Sequence, residues 1–172
     1  MVTRREKIDY YGLKISVEPV EEKPFYLTGN EPLFAVIIEN QTSKKRKGKI
    51  LIRWRLAEVL TLRIVKFELD SFESRRYELP REWLYREGTA VYELKVMPQT
   101  PDHYAELSDQ EVASQGLEGG IHPLCSYYVR DKDLHKYEED YRKTIKKFSL
   151  ITIGLTVLNV LLTILRTFHF LN

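Results

Sequence analysis

Apolar residues recur with period two from residue 11 to residue 97 and at steps of three or four from residue 131 onward, which divides the chain into a β-rich part and a helical part. Leu13, Ile15 and Val17 alternate before Pro19 and Pro24 interrupt. Thr28-Gly29-Asn30-Glu31-Pro32 carries turn chemistry and precedes the run Leu33-Phe34-Ala35-Val36-Ile37-Ile38, apolar on both faces as a central strand is. Ile50, Ile52, Trp54 and Leu56 alternate against Leu51, Arg53 and Arg55, which makes Trp54 a core anchor. Leu60, Leu62 and Ile64 then give way to Val65, Phe67 and Leu69 one position out of step, and this shift predicts a β-bulge. Ala90, Tyr92, Leu94 and Val96 close the set. Six or seven short strands without a helical stretch between them predict an antiparallel two-sheet sandwich, with a small barrel as the competing architecture.

Beyond Met97 the pattern loosens. Ser108-Asp109-Gln110-Glu111 reads as a capping box that starts a short helix ending at Gly116, and Gly119-Gly120 breaks the chain again. From Asp131 the spacing of Leu134, Tyr137, Tyr141, Ile145 and Phe148 predicts a helix that runs unbroken into the apolar segment beyond it, so that one long C-terminal helix is expected. Between Phe148 and Leu165 no side chain is charged, and 12 of the 18 positions are Leu, Ile, Val or Phe. Residues 148–171 as a helix measure roughly 36 Å, enough to cross a hydrocarbon core of about 30 Å. The predicted organisation is therefore an N-terminal tail (1–10), a β-sandwich (11–97), an acidic linker with a short helix (98–130), a juxtamembrane helix (131–147) and a transmembrane helix (148–171).

Within the span, Ser149, Thr152, Thr156, Asn159, Thr163 and Arg166 follow one another at steps of three or four and share one face of the helix. Hydroxyl and amide groups gain nothing from acyl chains but can hydrogen-bond across a helix pair, so this face predicts a partner, whether a different membrane protein or a second copy. Ser and Thr can also bond back to their own helix, an alternative that suits Asn159 poorly. Arg142, Lys143, Lys146 and Lys147 crowd the N-terminal flank of the span, which predicts that residues 1–147 face the cytoplasm and that the chain is a single-pass, tail-anchored protein. No apolar stretch follows the charges of residues 1–9, so no export signal is predicted there.

A formal net charge of +2 over 172 residues disfavours a dedicated nucleic-acid binder, but the charges are segregated. Lys44, Lys45, Arg46, Lys47 and Lys49 crowd a predicted hairpin, whereas Asp102, Glu106, Asp109, Glu111 and Glu118 lie in a stretch without Lys or Arg. The hairpin is a candidate docking surface for anionic lipid or, less favourably because no aromatic is interleaved, for nucleic acid. The acidic linker is a further candidate occupant. One cysteine, Cys125, permits no internal disulfide. His103, His122, Cys125 and His135 lack the close spacing of a metal site, and the chain carries no Gly-rich phosphate loop, nucleophile elbow or HExxH. No cofactor, metal or small-molecule substrate is predicted, and the chain reads as non-catalytic.

Three segments bear a family resemblance. The run from Phe34 through Ile38-Glu39-Asn40 to Gly48-Lys49-Ile50, the stretch from Phe67 to Tyr77, and Glu87-Gly88-Thr89-Ala90-Val91-Tyr92 resemble strands and turns of immunoglobulin-like domains, in particular the bacterial and archaeal CARDB-like sandwiches. The resemblance covers about half the chain and implies a binding or scaffolding module without catalytic residues. Together with the anchor, it leads to the expectation of a subunit or adaptor of a membrane complex.

Overall fold

The computed structural model describes residues 4–115 and 119–170. Ten strands form two sheets: β1 (Arg4–Arg5), β2 (Ile8–Tyr10), β3 (Leu13–Pro19), β4 (Tyr26–Leu27), β5 (Phe34–Asn40), β6 (Arg46–Leu56), β7 (Val59–Leu69), β8 (Ser74–Glu78), β9 (Gly88–Lys95) and β10 (Ile121–Arg130). One sheet runs β1-β10-β9-β6-β7, with β4 joined to β10; the other runs β2-β3-β5-β8. Every pairing is antiparallel except that of β4 with β10. Short connections favour this arrangement. Tyr11 and Gly12, between β2 and β3, both take positive φ (51° and 76°), the geometry whose twist suits a two-residue hairpin.

The inward positions of both sheets meet in one core. Ile15 and Val17 of β3, Val36 and Ile38 of β5, Ile50 and Ile52 of β6 and Leu94 of β9 are completely buried there. Phe34 stacks on Tyr127 with ring centroids 4.6 Å apart and approaches Tyr92 at 4.9 Å. Trp54 is the anchor that its position predicts: it is 2% exposed, and its indole Nε1–H donates to the Tyr127 hydroxyl at 3.0 Å. Burial pushes the hydroxyls of Tyr92 and Tyr127 far above the ordinary phenol range and the Cys125 thiol up to about 12.

Two expectations are corrected. The change of phase in β7 is not a bulge, because β6 and β7 pair without a break from Arg46↔Leu69 to Leu56↔Val59. The strand instead serves a core on each face. Val65, Phe67 and Leu69 point into the main core, while Leu62 and Ile64 point outward onto a smaller cluster with Leu51, Met97, Tyr104 and Val112. The second correction concerns the boundaries of the β-rich part. Residues 4–10, expected as a tail, supply β1 and β2, and residues 121–130, expected within the linker, form β10 between β1 and β9. Pro123 and a register shift between Pro123 and Cys125 interrupt the alternation of β10 and hide it from a period-two reading.

The remaining segment crosses the outer face of the larger sheet. A single 3₁₀ turn (Pro101–Tyr104) and α1 (Asp109–Gln115) form a strap between β9 and β10. Its helix starts as the capping box predicts: the Glu111 amide donates to Ser108 Oγ at 3.3 Å, and the Ser108 amide donates to Glu111 Oε2 at 2.8 Å. Gly48 lets the strap approach. A Cβ on Gly48 would overlap the Pro101 carbonyl, so no other residue fits there without moving the strap.

The second compact unit is a single helix, α2 (Lys132–Phe170), of 39 residues. The predicted juxtamembrane and transmembrane segments are thus one unbroken element. It is long and apolar enough to cross a membrane, and none of its apolar window is buried within the protein, unlike the core helix of a soluble domain.

Candidate interaction site

The basic hairpin joins β5 to β6, and the acidic strap lies against it. Arg46 Nε donates to Asp102 Oδ1 at 2.8 Å, its Nη2 pairs with Asp102 Oδ2, and its Nη1 donates to the Tyr11 carbonyl at 2.8 Å. Lys47 pairs with Glu106 at 3.0 Å, and Lys45 with Glu68 at 2.8 Å. Lys49, only 8% exposed, donates to the Leu107 carbonyl and pairs with Asp109 at 3.0 Å, while Lys66 of β7 reaches the other oxygen of that carboxylate at 3.0 Å. Of the five hairpin cations, Lys44 is the one without a carboxylate partner among the described residues.

These contacts set the local acidities. Hydrogen bonds from Lys49 and Lys66 hold the Asp109 carboxyl below the usual range, and the Ser108 hydroxyl and amide do the same for Glu111. Glu106 raises Lys47 and Glu68 raises Lys45. The hairpin is therefore matched in charge by the strap and by β7. It also lies at the end of the sheet remote from Arg130, where the chain leaves for α2: β6 and β10 each run antiparallel to β9, with Leu51 and Ile121 level with Lys95 at the hairpin end and Val129 level with Gly88 at the other. Nine residues of extended β6 separate Leu56 from Lys47, or about 30 Å.

Asp102, Glu106 and Asp109 engage the hairpin from the acidic linker, which the sequence offered as one of its candidate occupants, whereas Glu68 of β7 was not anticipated. A stretch with four described acids and no Lys or Arg is the signal that marks the linker acids. At the Arg130 end, a cleft of about 610 Å³ is lined by Val20, Tyr26, Pro32, Arg81 and Trp83 among others. The polar groups nearest its walls are engaged locally: the Tyr26 hydroxyl donates to the Glu21 carbonyl at 2.8 Å, and Arg81 donates to the Glu31 carbonyl at 3.2 Å. Among the described residues no group of three or more His, Cys, Asp or Glu side chains is arranged to hold a metal ion.

On α2, Ser149, Thr152, Thr156 and Asn159 lie in an exposed part of the helix. The side chains of Thr163 and Arg166 lie outside the described residues. Thr152 Oγ1 donates to the Phe148 carbonyl and Thr156 Oγ1 to the Thr152 carbonyl, each at 2.9 Å. Both hydroxyl protons are thus satisfied within the helix.

No protein-family model matches the chain, and no curated protein matches it. Among solved structures it is similar to β-glucosidase from Listeria innocua in complex with glucose (11% identity) and in complex with gluconolactone (12% identity), each with a TM-score of 0.39. The likeness covers 68% of this chain but 16% of the enzyme chain, so the shared part is a small fraction of that protein.

Proposed function

We propose that the protein is a non-catalytic, single-pass membrane protein in which a cytoplasm-facing, immunoglobulin-like β-sandwich is held to the bilayer by α2 and joins a membrane complex, as subunit or adaptor, through the polar face of that helix. The observation that carries this reading is the concentration of Ser149, Thr152, Thr156 and Asn159 on one side of the uncharged segment of α2, whose other residues from Phe148 to Leu162 are Leu, Ile, Val, Phe148 and Gly154. The sharing of one core by two largely antiparallel sheets supports the sandwich, and the lysines and arginines before Phe148 support the cytoplasmic side.

The competing reading, in which the hairpin recruits anionic lipid or nucleic acid, finds four of its five cations already facing carboxylates. Asn159→Leu combined with Thr156→Leu is expected to abolish co-purification of other membrane proteins with the full-length chain in mild detergent; undiminished recovery overturns the proposal.

A further inference from the structure

The charges of α2 fall into two blocks. From Lys132 to Asp140 there are four acids, Asp133, Glu138, Glu139 and Asp140, against two lysines, whereas from Tyr141 to Lys147 there are four cations and no acid. At a rise of about 1.5 Å per residue, Arg142, Lys143, Lys146 and Lys147 stand about 9, 7.5, 3 and 1.5 Å above Phe148, where the uncharged segment begins. The polar layer of a bilayer is about 5–8 Å thick on each side of its hydrocarbon core, so the cations occupy or border it. The acids, about 12 Å or more above Phe148, stand outside it.

Around the helix the four cations form one patch. With about 100° of rotation per residue and Arg142 taken as zero, Lys146, Lys143 and Lys147 fall at about 40°, 100° and 140°. Tyr141 and Ile145 lie on the other side, at about 260° and 300°. Thr144, at about 200°, donates its hydroxyl proton to the Asp140 carbonyl at 2.9 Å. Arg142 with Lys146 and Lys143 with Lys147 are like charges four residues apart, a spacing that disfavours a helix in water. One turn above them stand Glu138 and Glu139, the latter 3.6 Å from His135. Lys143 meets Asp140 at 3.7 Å, an exposed pair of little worth, and Arg142, Lys146 and Lys147 pair with no carboxylate among the described residues.

The same sector continues below as Leu150, Ile153, Gly154, Val157, Val160 and Leu161, at about 80°, 20°, 120°, 60°, 0° and 100°. Ser149, Thr152, Thr156 and Asn159 fall outside it, at about 340°, 280°, 320° and 260°. An apolar column beneath a cationic patch matches a phospholipid, with acyl chains below and phosphate above. We propose, resting on the reading of α2 as a membrane span with residues 1–147 in the cytoplasm, that Arg142, Lys143, Lys146 and Lys147 form a binding site for an anionic phospholipid of the cytoplasmic leaflet. The planar guanidinium of Arg142 suits two phosphate oxygens at once, and the three ammonium groups add point charges around it. The lipid takes the side of α2 away from the polar residues, so this site and the partner face do not compete.

The test places the full-length chain in mild-detergent micelles that hold equal amounts of phosphatidylcholine and phosphatidylglycerol. The phospholipid that stays with the chain through size-exclusion chromatography is then quantified by headgroup. Retained phosphatidylglycerol is expected to exceed phosphatidylcholine at least about threefold. R142Q/K143Q/K146Q/K147Q is expected to bring that ratio to about one, while K132Q/K136Q leaves it high. A wild-type ratio near one, an unchanged ratio in the quadruple variant, or an equal fall in both variants overturns the inference. Loss of selectivity in about 20 mM inorganic phosphate, but not in chloride of the same ionic strength, marks a site for the free anion and also overturns it. If the ratio is near one while Asn159→Leu with Thr156→Leu still abolishes recovery of membrane proteins, the lipid site fails and the membrane-subunit reading stands. A high ratio together with undiminished recovery has the opposite meaning: the lipid site stands and the subunit reading fails.

Discussion

In the two-sheet domain Phe34, Trp54, Tyr92 and Tyr127 are each at least 97% buried among one another, whereas along α2 Tyr137, Phe148, Leu150 and Ile153 are each 60% exposed or more. The two regions have similar appetites for burial and meet them differently. Two sheets can close on each other and satisfy both backbone and side chains within the chain. A lone helix satisfies its backbone and leaves its side chains to whatever surrounds it. A residue's exposure in the domain therefore reports on packing, and its exposure in α2 reports on what the helix is made to meet.

The largest expected effect separates the regions directly. Phe34→Ala, which removes the ring stacked on Tyr127, is expected to destabilise the domain by about 3–5 kcal/mol in denaturant unfolding followed by tryptophan fluorescence. Leu158→Ala, 52% exposed in its starting state, is expected to leave that transition in place, and an equal shift from both would erase the contrast. A smaller effect probes the strap: Gly48→Ala is expected to cost about 1–3 kcal/mol and to speed hydrogen exchange of the Tyr104 and Val112 amides, because the new methyl displaces the Pro101 carbonyl.

The smallest effect is electrostatic. The Asp109 and Glu111 carboxyls are held below the usual carboxylate pKa range, so what they contribute to holding the strap is fully present above their ordinary values of about 4 to 4.5 and is lost as pH falls through their lowered folded-state values. Strap exchange is expected to accelerate below about pH 4 while the Phe34 core stays protected, and Asp109→Asn is expected to remove part of that pH dependence. Equal acceleration in core and strap would show that the ion pairs do not act locally.

Much of the β-rich part was legible because one-sided burial prints a period of two, as in Ile50, Ile52 and Trp54, and because the capping box at Ser108 is a local chemical signature. The second core was not legible as such. A strand buried on both faces breaks its own alternation, so β7 resembled a strand with a bulge. β10 was hidden by Pro123 and by its distance along the chain from β9, since pairing with a remote strand leaves no mark in a local window.

By itself the sequence determined the change of period at the domain edge, the uncharged 18-residue stretch, and the segregation of basic hairpin from acidic linker, because each is a property of neighbours along the chain. Only the tertiary structure decided that the acidic linker folds onto the hairpin, since opposite charges about 60 residues apart have no fixed geometry until the sheet places them.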